Sequence, residues 1–137
     1  METPDLRIIS PAIGITARIL FTLIFFLSGI THFTSMQSYI GLMPAPIPLR
    51  AFWVAISGGV ELAGAAMILL NYRPRLGAWL IVIFLVPVTI VVHGTAMLTL
   101  PDPVMRAVNV SMFLKGLAML ACALFITQFG VSPADNR

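Results

Sequence analysis

Four predominantly apolar stretches, each twenty or more residues long and each introduced by proline, constrain this chain more than any other feature of its sequence. A helix rises about 1.5 Å per residue, so a stretch of that length crosses the about 30 Å of hydrocarbon in a bilayer. The stretches fall at about residues 12–35, 50–71, 75–99 and 105–129, with Pro11, Pro48, Pro74 and Pro103 at their starts. Proline suits a first helical turn, where its missing N–H would have no partner, and Ser10 and Asp102 precede two of these prolines as N-caps. Composition agrees: 59% of the residues are hydrophobic and 9% charged, against about 45–50% and about 25% in soluble domains. The turns around Asn71–Arg75 and Leu100–Pro103 are short, so successive helices should pair antiparallel. The expected fold is all-α: an integral membrane four-helix bundle with up-down topology, one domain over residues 1–137.

The connection at residues 36–49 differs from the other two. Its Pro44-Ala45-Pro46-Ile47-Pro48 run is too rich in proline for helix, while Tyr39, Ile40, Leu42 and Met43 are too apolar for free solution. It is expected to lie along the membrane surface as a lid. Arg18 interrupts the first stretch and no small-residue cleavage motif follows Phe26, so this stretch is expected to remain as a helix rather than be removed as a signal. Arg7, Arg18, Arg73, Arg75 and Arg137 fall on one side of the membrane and Arg50 and Arg106 on the other. The positive-inside rule then places both termini in the cytoplasm and the lid outside, facing the periplasm if the membrane is a bacterial inner membrane.

Several function classes fall away. The eight basic residues are scattered, most of them near helix ends, and form no patch for a nucleic acid. Cys122 is the only cysteine, so thiol relay within the chain is excluded. There is no phosphate-cradling glycine loop, nucleophile elbow or HExxH, and no metal site is expected. The expected surroundings are a lipid bilayer and either a protein partner subunit or further copies of the chain.

Chemistry must therefore come from the few polar residues inside the apolar stretches. Glu61 lies 11 residues after Arg50 and 12 before Arg73, near the midplane, and Lys115 lies nearly as deep. Each charge alone costs about 2.5–3.5 kcal/mol at the bilayer centre on insertion scales. Their opposite signs and shared depth lead to the expectation that they face the interior and meet. Ser57, Gly58, Gly64 and Ala65 flank Glu61 at helical spacing and form a stripe that another helix can approach. If the pair were only a staple between helices, it would be costly glue compared with plain packing.

His32 and His93 belong to the first and third helices, near their outward ends, and are expected to share one pocket under the lid. On the first helix Arg18, Thr22, Phe25, Ser28, Gly29, His32 and Met36 follow one side, and on the third Thr89, His93 and Met97 do the same. Pro87 should free the carbonyl of Ile83 and bend the third helix just below His93. Asn109 is expected to line the same cavity, on a different side of the fourth helix from Lys115. Glu61, His32, His93 and Lys115 are thus the candidate catalytic groups, with Arg18, Tyr39, Ser57 and Asn109 as candidate binding residues. Two histidines on neighbouring helices also suit a b-type haem, a weaker alternative to plain hydrogen bonding within the bundle.

Taken in order, these motifs resemble the DoxX family of small four-helix bacterial membrane proteins. The likeness rests on Phe26-Leu27-Ser28-Gly29 with His32, Tyr39 before a proline-rich segment, Ser57-Gly58 with Glu61 and Gly64, Arg75 with Gly77-Ala78, and Lys115, and so runs from about Arg18 to Phe125. Position 32 is commonly Lys in that family. Histidine as a residue type ordinarily titrates near neutrality and lysine far above it, so His32 implies different protonation chemistry at that corner. The resemblance implies kinship with the small membrane subunit of a thiosulfate:quinone oxidoreductase, and hence a quinone-linked or sulfur-oxidising redox role with electrons from a partner subunit. Two other functions compete: a non-catalytic assembly or stress-response factor, and a cofactor-independent acid-base enzyme acting on an apolar substrate. A small transporter is weaker, because four helices of this length enclose little volume.

Overall fold

The computed structural model describes residues 10–128 and is helical throughout its long elements. In chain order these are α1 (Pro11–Thr34), α2 (Met36–Leu42), α3 (Arg50–Leu69), α4 (Pro74–Pro87), a π-helical stretch (Val88–Gly94), α5 (Thr95–Thr99) and α6 (Pro103–Gln128). Because α4, the π stretch and α5 run on without a break, the long helices are four: Pro11–Thr34, Arg50–Leu69, Pro74–Thr99 and Pro103–Gln128. All four are long and apolar enough to span a bilayer. Arg7, Arg137 and Phe129, the last expected residue of the fourth helix, lie outside the described residues.

The helix starts follow the caps. Ser10 Oγ accepts from the Ile13 amide at 3.5 Å, and Asp102 Oδ1 accepts from the Val104 amide at 2.9 Å. Between α3 and α4, Asn71 and Arg73 adopt left-handed backbone (φ 55° and 47°). Arg73 precedes proline, and proline disfavours a right-handed helical conformation in the residue before it.

Packing follows chain order: α1 lies on α3, α3 on α4, and α6 on α4 and the π stretch, while α2 sits beside the start of α3. The core is one cluster of Phe25, Ala65, Ile68, Ala78, Ile81, Val82, Leu85 and Ala123. Small residues set the helix separations. A Cβ added to Gly64 would stand 2.9 Å from the Gly77 carbonyl oxygen, so α3 and α4 approach backbone to backbone. Away from this core the surface is apolar, with Leu20, Leu27, Ile83 and Leu98 among many large side chains more than half exposed. That surface suits hydrocarbon and would be untenable in water.

Two features of this architecture add detail to the expected lid and third helix. The lid is helical over its first seven residues, because its prolines begin only at Pro44. Arg50 also ties it down, donating from its guanidinium to the Ile40 carbonyl at 3.5 Å. The third helix changes its winding at Pro87. The seven residues after it wind as π-helix, whose wider turn rotates the outer part of this span and delivers His93 to the fourth helix.

Candidate functional site

Glu61 is 1% exposed, yet its partner is His32 and not Lys115. His32 Nδ1 lies 3.1 Å from Glu61 Oε2. The same Nδ1 lies 2.9 Å from the Ser28 carbonyl oxygen, one turn earlier on α1. A carbonyl only accepts, so this contact assigns the hydrogen to Nδ1, donated to Ser28. Ser28 Oγ donates to the same Oε2 at 3.2 Å. One carboxyl oxygen therefore accepts a serine hydroxyl and lies against an imidazole nitrogen, both from α1.

Two glycines make that approach possible. A Cβ on Gly58 would fall 2.7 Å from His32 Cβ and 3.2 Å from the Gly29 carbonyl oxygen. The stripe on α1 that periodicity marks is the one that packs: Thr22, Phe25, Gly29 and His32 are its buried residues. Facing it on α3 are Val54, Gly58, Glu61, Gly64, Ala65 and Ile68. Helical spacing at i+3 and i+4 generates both faces.

The lid closes the site. The Tyr39 ring stacks on the His32 imidazole with centroids 3.9 Å apart and planes 29° apart. Tyr39 Oη pairs with Thr31 Oγ1 at 2.6 Å, and Thr31 Oγ1 donates to the Ser28 carbonyl at 2.8 Å. Phe84 of α4 meets the imidazole edge-on at 6.0 Å. Periodicity did not single out Thr31 or Phe84, since their roles depend on where α2 and α4 come to rest.

The remaining candidates lie elsewhere. His93 is half-buried and pairs through Nδ1 with Asn109 Oδ1 at 3.0 Å, between the π stretch and α6. His32 and His93 thus belong to different helix pairs and do not share a pocket. Their hydrogen-bond partners stand on different helices, and no contact between the two rings is found among the described residues. Among the described residues no group of three His, Cys, Asp or Glu side chains could hold a metal. Of the two histidines Asn109 meets only His93, and it does not reach the expected cavity at His32. Arg18 turns back to the Gly14 carbonyl at 3.4 Å and Ser57 to the Val54 carbonyl at 2.9 Å, each within its own helix.

Lys115 is exposed on α6, with no ion pair among the described residues. The reason lies at its neighbour Gly116, which faces Thr89 so closely that an added Cβ would overlap the Thr89 side chain. With Gly116 held inward, a rotation of about 100° per residue turns Lys115 off the interface. Equal depth does not fix azimuth, and the expected meeting of Glu61 with Lys115 is overturned on that ground.

Four apolar membrane-crossing helices around a buried carboxyl–imidazole pair define a small helical integral membrane protein with an ionisable site between its first two spans. Residues 14–94, more than half of the chain, match the DoxX family model, and the protein belongs to that family. The matched segment holds Ser28, His32, Tyr39, Glu61 and Phe84 and ends before Asn109 and Lys115. No match is found among curated proteins or solved structures.

Proposed function

We propose that this protein is the membrane subunit of a redox system, and that its Glu61–His32 pair exchanges protons with a lipid-soluble carrier of the quinone class held under α2. The observation that carries this reading is the 3.1 Å contact between His32 Nδ1 and Glu61 Oε2, both side chains nearly sealed from outside. A buried acid-base pair of this kind is a functional signal inside a membrane, where ionisable groups are expensive to keep. Reduction of a quinone to a quinol consumes two electrons and two protons. With the Nδ1 hydrogen held by the Ser28 carbonyl, the ring takes up and gives up its exchangeable proton at Nε2, and the Glu61 carboxylate beside Nδ1 stabilises the imidazolium form between the two events. Tyr39 occupies the position over the imidazole that a flat carrier ring would take, so the carrier would displace Tyr39 and stack in its place. Electrons would come from a partner subunit bearing a redox cofactor, because this sequence holds one cysteine and no nucleotide-binding motif. In the orientation the arginines favour, the site opens toward the outer side of the membrane.

The test is equilibrium binding of a short-chain quinone to the purified protein. Glu61→Gln and His32→Phe should each weaken binding at least about tenfold, the loss of one charge-assisted hydrogen bond. Equal binding by both variants, or none by the parent protein, would refute the reading.

A further inference from the structure

We propose that the Lys115 face of α6 is a docking surface for a transmembrane helix of another protein that carries an Asp or Glu at mid-membrane depth. Lys115 follows the start of α6 by 12 residues and precedes its end by 13. It therefore sits about 18 Å from either end of that helix. The edge of the hydrocarbon is about 15 Å from the midplane, and an extended lysine stem reaches only about 6 Å. Lys115 cannot bring its ammonium to the headgroups by stretching along the helix. It is exposed and has no carboxylate partner among the described residues, so in a bilayer it stands as a charge facing lipid. Such a position costs about 2.5–3.5 kcal/mol on insertion scales, a cost that a covering carboxylate would offset.

One side of Lys115 suits a helix better than acyl chains, while Met112 and Met119 at i−3 and i+4 fill its other side. Ser111, Ala118 and Cys122 stand at i−4, i+3 and i+7 from Lys115, all exposed and all small. Leu117 and Leu124, about half a turn round the helix, present bulky apolar groups instead. Small residues along one flank of a lysine let a neighbouring backbone come near enough for a carboxylate to meet the ammonium.

A second copy of this chain does not supply that carboxylate. Glu61 is the only acidic residue deep within any of the four helices, and it is buried 1% exposed against His32 and Ser28. Face-to-face pairing of two copies would oppose two Lys115 charges. Charge complementarity therefore selects an acidic helix from a different membrane protein. The assignment does not depend on what Glu61 and His32 do.

The experiment uses the full chain in phosphatidylcholine vesicles, as Cys122→Ser with Gln128→Cys carrying a donor fluorophore at the end of α6. The probes are acceptor-labelled leucine-alanine transmembrane peptides whose central residue is Glu, Gln or Lys. The Glu peptide should associate at least about tenfold more tightly than the Gln peptide. Lys115→Met should remove that preference while leaving the melting temperature of the protein unchanged or higher, and Lys115→Glu should transfer the preference to the Lys peptide. Association that ignores the central residue, or survives Lys115→Met, overturns the proposal. So does self-association of the labelled chain that strengthens with Lys115→Met, which would make a second copy the occupant. A marked loss of stability in Lys115→Met would place Lys115 inside the fold and overturn it equally.

Discussion

Replacing Gly58 by alanine should destabilise the protein where replacing its neighbour Gly59 does not. The added Cβ at position 58 would stand 2.7 Å from His32 Cβ, 3.0 Å from Phe33 Cε2 and 3.2 Å from the Gly29 carbonyl oxygen. Carbon atoms rest at about 3.5–4.0 Å, so α1 must move away from α3 by about 1 Å. Two of the three obstacles are a Cβ and a backbone oxygen, which cannot turn aside. Overpacking of this kind costs about 1–3 kcal/mol, and the same displacement would stretch the His32–Glu61 contact from its 3.1 Å. At Gly59 an added Cβ meets nothing within 4 Å. Alanine there should be neutral, or stabilising by up to about 1 kcal/mol through helix propensity. Two adjacent glycines in one helix thus receive opposite predictions from identical chemistry. Denaturant unfolding of the purified variants in mixed micelles reads the difference. Equal stability losses at the two positions would refute the close approach of α1 to α3, and with it the geometry of the site.

Further outcomes test the site and its supports. In a double-mutant cycle of Glu61→Gln with His32→Phe, the losses should be non-additive by about 0.5–3 kcal/mol in micelle unfolding. The cycle of Glu61→Gln with Lys115→Met should add within about 0.5 kcal/mol, and a large coupling there would restore the pairing that the structure replaces. Tyr39→Ala should uncover the imidazole, raising the carbethoxylation rate of the peptide containing His32 relative to that containing His93, whereas an unchanged ratio would mean that Tyr39 does not cover it. Arg75→Leu removes an Nε–H donated to the Thr127 carbonyl at 2.9 Å near the end of α6. It should cost about 1 kcal/mol and speed hydrogen exchange in the last turn of α6, with little change elsewhere.

The class of protein and the rhythm of its helices were legible in the sequence. Blocks of twenty apolar residues have one stable state in a bilayer, because every backbone N–H and C=O must be satisfied within its own segment. Proline and the caps at Ser10 and Asp102 then mark starts that the structure reproduces within a residue or two. Periodicity also named the buried face of α1, since Thr22, Phe25, Gly29 and His32 follow from helix geometry alone. Which face meets which was decided only in three dimensions. Depth placed Glu61 and Lys115 at the same level, but Gly116 against Thr89 turns Lys115 outward, while Gly58 lets His32 reach Glu61 first. The π turn after Pro87 likewise sends His93 to Asn109, a rotation no fixed period anticipates. One-dimensional spacing carries the height and phase of a side chain on its own helix. The relative rotation of two helices comes from where their smallest residues allow contact, and a Cβ more or less at Gly58 or Gly116 settles which polar groups meet.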